Sequence, residues 1–183
     1  MKKVIILDEI KLTEVANEDF FRLSNIKHFR NTDILEYLNF KGFLIQNNKD
    51  TLGFVLLGEV FNKITKSQYW CLFNVHVNAD LRNQKIGKVA LREAHRFLKN
   101  KLNVKYYIVS LNNYLMFKMI EGEQGAGVVD FYCLMNKNYS VEEMKEEERG
   151  LEFYLNSNPN NHADMIVSLD KDETEKVKLI FFK

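Results

Sequence analysis

The stretch that most constrains this chain runs from Val75 to Leu98: a β-branched segment, a short polar turn and a long amphipathic helix. Ile86, Ala90, Leu91, Ala94, Phe97 and Leu98 recur at helical spacing, while Lys88, Arg92, Arg96 and Lys99 take the opposite side. A helix of that pattern has one face that must be buried, and its neighbours supply the partner. Tyr69–Val77 before it is aromatic and β-branched. Lys105–Leu111 after it continues as Tyr-Tyr-Ile-Val-Ser-Leu, which reads as a buried strand. Strand, turn, helix and strand in that order demand a layered structure in which the helix lies on a sheet.

The turn carries chemistry as well as chain direction. Backbone N–H groups from the turn into the first helical turn have no intrahelical acceptor, and they add to the positive end of the helix dipole. Such an arrangement suits a phosphate or diphosphate. Gly87 brings no Cβ to the place where a ligand would approach. Between Leu81 and Lys105 there are eight basic side chains and a single acid, Glu93, so the helix is basic as well as favourably oriented.

The other segments fill in a mixed fold. Lys3–Leu7 reads as a short apolar strand. Glu14–Ile26 reads as a helix with Val15, Phe20, Leu23 and Ile26 near one face, and Thr32–Leu38 as a second short helix on Ile34, Leu35 and Leu38. Gly42–Gln46 and Thr51–Val60 form a hairpin about Asn47-Asn48-Lys49-Asp50. Asn112 or Asn113 opens a helix through about Ile120, and Gly125 and Gly127 mark a loop before a strand at Val128–Met135. Ser140-Val141-Glu142-Glu143 is a capping box for a helix reaching Leu155. Ala163–Leu169 and Lys176–Phe182 are terminal strands, the latter expected to pair into the main sheet. Together these predict an α/β protein of the α+β type.

Length and charge bound the function. The 183 residues fit one domain with a core of its own. Residues 136–183 carry 7 basic and 11 acidic side chains against 19 and 14 in residues 1–135, which reads as an acidic extension on a mildly basic core. A net charge of +1 argues against a nucleic-acid partner. The apolar run Val4–Leu7 stops at Asp8, too short for a membrane span or a signal peptide. Cys71 and Cys133 make no disulfide framework, so the cytoplasm is expected, and no metal site is.

The turn resembles motif A of the GNAT N-acetyltransferase superfamily, whose pattern is Arg/Gln-x-x-Gly-x-Gly/Ala. Here it reads Arg82-Asn83-Gln84-Lys85-Ile86-Gly87-Lys88, with Asn83 at the position of the glycine after the arginine and Lys85 at the first glycine of Gly-x-Gly. The order of elements over residues 3–135 matches as well. The resemblance implies a largely antiparallel central sheet flanked by helices, with residues 136–183 as a C-terminal helix–strand extension of a single domain. It implies acetyl-CoA as cosubstrate. Arg82, Asn83, Gln84, Lys85, Ile86, Gly87 and Lys88 would hold its diphosphate, Val75 and Val77 would pair with the pantetheine arm, and Asn112 or Asn113 would meet the cofactor at the next helix.

Acetyl transfer needs a base for the amine and an acid for the leaving thiolate, and the resemblance implies where to look for them. The family's base often lies on the strand before motif A. Alternation puts Tyr69, Cys71 and Phe73 on the face of Val75 and Val77, with no carboxylate among them. A bulge in this strand would bring Asn74 or His76 inward instead. Tyr69 and Cys71 are candidates to relay a proton through water, and His76 is a candidate base; each also reads as a packed residue. The family's acid is usually a tyrosine about seven residues into the helix after Asn112 or Asn113, where this chain has Met119 and Ile120. Tyr114 lies in that helix, nearer its start. On the acceptor side, Arg30 and Asp33 stand in the segment that lines the acceptor site in this family. The expected function is transfer of an acetyl group from acetyl-CoA to a primary amine on a small molecule, peptide or protein, by a monomer or homodimer. The alternative is a catalytically weakened GNAT-fold protein that binds acyl-CoA or regulates.

Overall fold

Two long antiparallel strands, β2 (Leu35–Asn47) and β3 (Asp50–Asn62), organise the first part of the chain. The computed structural model describes residues 5–24, 31–48, 50–134, 150–158, 161–173 and 176. The hairpin closes with Asn47 opposite Asp50. Asn48 stands at φ 52°, a left-handed conformation that asparagine tolerates better than most residues. Strand β1 (Ile10–Val15) pairs with β2, and β4 (Ser67–Val77) pairs with β3, both antiparallel.

Helices cover both faces of this four-stranded layer. Residues paired across antiparallel strands share a face, and faces alternate along a strand. Phe40 pairs with Gly58 and Phe43 pairs with Val55, so the two rings point to opposite faces. Helix α1 (Asn17–Ser24) sets the fully buried Phe20 against Phe40, with ring centres 4.9 Å apart. Helix α2 (Ile86–Asn100) sets Phe97 against Phe43 at 4.7 Å. Covered on both sides, β3 buries three residues in a row, Val55, Leu56 and Leu57. Ile86, Leu91 and Leu98 of α2 are buried to within 1% of their surface, worth about 5–8 kcal/mol gross between them.

Residues 102–183 form a second compact unit. Its strands are β5 (Tyr106–Leu111), β6 (Phe131–Leu134) and β7 (Ala163–Ser168), with β7 antiparallel to both of the others. Helix α3 (Tyr114–Gly125) starts at Asn113, whose side-chain oxygen accepts from the Met116 N–H at 2.9 Å. Phe117 packs edge-on to Tyr132 at 5.6 Å. Residues 150–157 are helical and bury Leu151 and Leu155, one turn apart.

The mixed α/β class and the antiparallel pairing are as expected from the sequence, and three segments differ. The first strand is Ile10–Val15; Ile5 and Ile6 are not strand, Leu7–Glu9 is a 3₁₀ turn, and Lys3 and Val4 lie outside the described residues. The first helix therefore starts at Asn17, because Glu14 and Val15 belong to β1, where they pair with Phe43 and Gly42. The predicted helix at Thr32–Leu38 is instead the approach to β2 and its first residues: Leu35, Glu36 and Tyr37 pair with Asn62, Phe61 and Val60. The cross-strand partner outweighs a weak local helical pattern there. Ser140–Arg149 of the predicted late helix, and residues 177–183 of the last predicted strand, lie outside the described residues; Lys176 is helical.

Candidate active site

Strand β4 carries a bulge. Leu56 of β3 opposes Asn74 and Leu57 opposes Leu72, so Phe73 is an extra residue between them. This breaks the alternation expected from the sequence. Val75 and Val77 pair with Val55 and Gly53, and Leu72 with Leu57, all on the face covered by α2. Tyr69, Cys71, Asn74 and His76 pair with Val60, Gly58, Leu56 and Phe54, on the face covered by α1. Tyr69 and Cys71 therefore do not share a face with Val75 and Val77. The structure instead brings three of the four chemical candidates, Tyr69, Cys71 and His76, to one face of one strand.

Phe73 joins them. A Cβ built on Gly58 would fall 2.2 Å from a Phe73 ring carbon, so the ring occupies the space that the glycine leaves. Tyr37 completes the cluster: it shares a row with Val60 and Tyr69, and its ring centre is 6.1 Å from that of Phe73. Burial, and then the neighbouring Cys71, push the Tyr37 hydroxyl above its usual range. The sequence concealed Tyr37 because its segment read as helix. His76 is half-buried and stacks on Phe54 with ring centres 4.8 Å apart, the environment of a packed imidazole. Glu59 lies on the opposite face, where its two oxygens accept from the side-chain amides of Asn39 and Gln68.

The turn after β4 is held from behind. The Asn78 N–H donates to Leu52 O at 2.9 Å, and its side-chain amide donates to Thr51 O at 3.1 Å. A 3₁₀ turn over Ala79–Leu81 buries Leu81. Arg82 Nε donates back to Val77 O at 3.3 Å. Beyond it, Asn83 stands at φ 67° and Lys85 at φ 62°, both left-handed. At both positions the resembling motif has glycine and this chain does not. Lys85 is the N-cap of α2 and makes no side-chain capping bond. The first α2 N–H to bond back is that of Val89, to Lys85 O at 3.2 Å. The N–H groups of Ile86, Gly87 and Lys88 precede it and have no intrahelical acceptor. The first turn holds no acidic residue, and Arg82, Lys85 and Lys88 are exposed around it. Open N–H groups, a positive dipole end and three surrounding cations fit a diphosphate.

In the second unit, Asn112 and Asn113 are exposed at the start of α3. Asn113 caps the helix, and its amide donates to Asn112 Oδ1 at 2.9 Å. Tyr114 is the first helical residue, half-buried, with its ring stacked on Phe117 at 5.6 Å. Met119 is half-buried and Ile120 fully buried, so the position expected for an acid holds only apolar side chains.

Solved structures confirm the architecture. A dodecameric spermidine N-acetyltransferase from Vibrio cholerae aligns over 92% of this chain and 98% of its own, with a TM-score of 0.51 at 14% identity. A mutant form of a spermidine N-acetyltransferase from the same organism aligns over 92% and 99%, with a TM-score of 0.50 at 14% identity. At such identity the likeness speaks for the fold alone. No curated protein sequence matches the chain. Residues 10–119, from β1 into α3 and including the turn just described, match the acetyltransferase (GNAT) family, and the chain belongs to that family of acetyltransferase enzymes.

Proposed function

We propose that this protein binds acetyl-CoA at the turn between β4 and α2 and transfers the acetyl group to a primary amine. The observation that carries the reading is the pair of left-handed residues, Asn83 and Lys85, which opens the first-turn N–H groups of α2 within the family-matched segment. Asn83, Gln84, Lys85, Ile86, Gly87 and Lys88 would hold the diphosphate through backbone N–H groups, with Arg82 keeping the turn against β4. Val75 and Val77 would offer backbone to the pantetheine arm, and Asn112 or Asn113 would meet the cofactor at the start of α3. When bound, the thioester supplies an activated acetyl group and a thiolate leaving group.

The chain's own contribution to the reaction is positioning. With no carboxylate among the β4 side chains and apolar residues at positions 119 and 120, protons leave the amine and reach the thiolate by way of water, assisted by Tyr69, Cys71, His76 or Tyr114. Alignment of amine and thioester supplies the larger share of the rate, since positioning is worth about 7–11 kcal/mol at best and acid–base assistance about 10²–10⁴-fold. The family resemblance and the spermidine N-acetyltransferases of similar fold both favour an amine acceptor. Residues 1–135 form the catalytic core of this reading, with 136–183 as an acidic extension, and the cytoplasm is the proposed compartment. Among the described residues no helix is long and apolar enough to cross a membrane.

The test is thiol release from acetyl-CoA over a panel of amines, including a monoamine, a polyamine and peptides with free N-termini or lysines, with the acetylated product identified by mass. Acetylation of at least one amine is expected. Tight acetyl-CoA binding without transfer to any of them would favour the acyl-CoA-binding alternative, which the apolar residues at Met119 and Ile120 motivate.

A further inference from the structure

We infer that Lys85 is an affinity determinant for the CoA diphosphate: a side-chain cation set at a backbone position that otherwise favours glycine. The inference rests on the acetyl-CoA reading above and extends it to a residue at which this chain departs from the family motif.

Lys85 stands at φ 62° and ψ 7°. For a residue with a Cβ that conformation is strained, and glycine adopts it freely. Five described non-glycine residues have positive φ, and three of them are asparagines, which tolerate it best. Lys85 is one of the two lysines in that set, the other being Lys66 in the β3–β4 turn. Stability alone therefore favours glycine or asparagine at position 85.

What a lysine adds is charge at the mouth of the N–H cradle. The side chain is exposed, so it does not fill the cradle. Among the described residues its ammonium makes neither an ion pair nor a side-chain hydrogen bond; the ion pair between Arg96 and Glu93 lies further along α2. The Nε of neighbouring Arg82 is turned back to Val77 O. The first helical turn carries no acid to neutralise the ammonium. Lys85 is thus a cation at the end of the helix where the dipole already favours an anion.

The test separates charge from backbone geometry. Lys85→Gly and Lys85→Asn both relieve or tolerate the left-handed φ while removing the charge; Lys85→Arg keeps the charge. CoA itself is titrated calorimetrically into each folded protein at about 0.05 M and at about 1 M salt. At low salt, Lys85→Gly and Lys85→Asn are expected to weaken CoA about fivefold or more, the scale of one charge-assisted contact. Lys85→Arg should stay within about twofold of wild type. At high salt, where the screening length falls to about 3 Å, the gap should close. Thermal melts of the ligand-free proteins should show the Gly and Asn variants at least as stable as wild type. Wild-type binding with equal or tighter binding by Lys85→Gly and Lys85→Asn at low salt overturns this inference alone. Absence of CoA binding by wild type overturns the acetyl-CoA reading, and this inference with it.

Discussion

Replacing Gly58 by alanine tests whether the bulge at Phe73 is a packed feature of the site. The new Cβ would lie 2.2, 2.7 and 3.3 Å from three carbons of the Phe73 ring. Ordinary carbon contacts are about 3.5–4.0 Å, so the ring must retreat by more than about 1 Å. The Tyr37 ring stands next to it, and Leu56, Leu57 and Val60 of β3 are buried to within 1% of their surface. Overpacking of this kind costs about 1–3 kcal/mol. Gly→Ala returns about 0.4–1 kcal/mol by restricting the unfolded chain. The net expectation for Gly58→Ala is a loss of about 1–2 kcal/mol. Urea unfolding followed by the fluorescence of Trp70, the single tryptophan, measures it. The same substitution in a Phe73→Ala background should be neutral or slightly stabilising, giving a coupling of about 1 kcal/mol or more between the two sites. A Gly58→Ala protein as stable as wild type, with no coupling to Phe73, would refute the packing described for this face.

His95 is 1% exposed on α2, and burial, followed by the charge of Arg92, pushes its pKa down to about 3. The folded state thus holds it neutral while the unfolded chain protonates below about pH 6.5. Its stabilisation is complete above that pH and is lost as the pH falls from about 6.5 towards 3, by a few kcal/mol. Denaturation of wild type and His95→Gln as a function of pH should show the steeper acid loss in wild type. Asn113→Ala removes the cap on the Met116 N–H and should cost about 1 kcal/mol in a thermal melt, with Asn113→Ser recovering most of it. Tyr69→Phe, Cys71→Ala, His76→Ala and Tyr114→Phe should each lower turnover by less than about tenfold. A loss of about 10³-fold from any one of them, with binding and folding intact, would identify a dedicated acid or base and overturn transfer by positioning.

Long, strongly periodic elements were legible from residues alone. Helix α2 repeats its apolar stripe over several turns, and β3, β4 and β5 are rich in β-branched and aromatic side chains, so local pattern and tertiary burial agree. The segment 32–38 misled because Ile34, Leu35 and Leu38 mimic a helical stripe. In the structure the stripe is an accident of a second bulge: Leu38 is an extra residue between Tyr37 and Asn39, which oppose Val60 and Glu59. That error also hid Tyr37, whose place beside Tyr69 and Phe73 depends on a pairing some twenty residues away. The sharing of faces along β4 was legible only as an alternative, because a bulge is decided by what packs against the strand, here Phe73 over Gly58. The anion cradle was readable as a strand, a turn and a helix. Its left-handed residues were not, since Asn83 and Lys85 carry no glycine signal, and the family motif supplied the positions.

The central claim is that the turn before α2 holds acetyl-CoA, and calorimetric titration of acetyl-CoA into wild type and Gly87→Asp tests it most directly. Gly87 is the second residue of α2, half-buried within the N–H cradle. An aspartate there places a carboxylate and its bulk against the diphosphate. An acid in a first helical turn favours the helix itself, so the fold should survive, as circular dichroism and an unchanged urea midpoint would show. The account predicts saturable, one-to-one binding by wild type and at least about tenfold weaker binding by Gly87→Asp, the effect of about 1.4 kcal/mol or more. Equal affinity of the two folded proteins, or no binding by wild type, would contradict it.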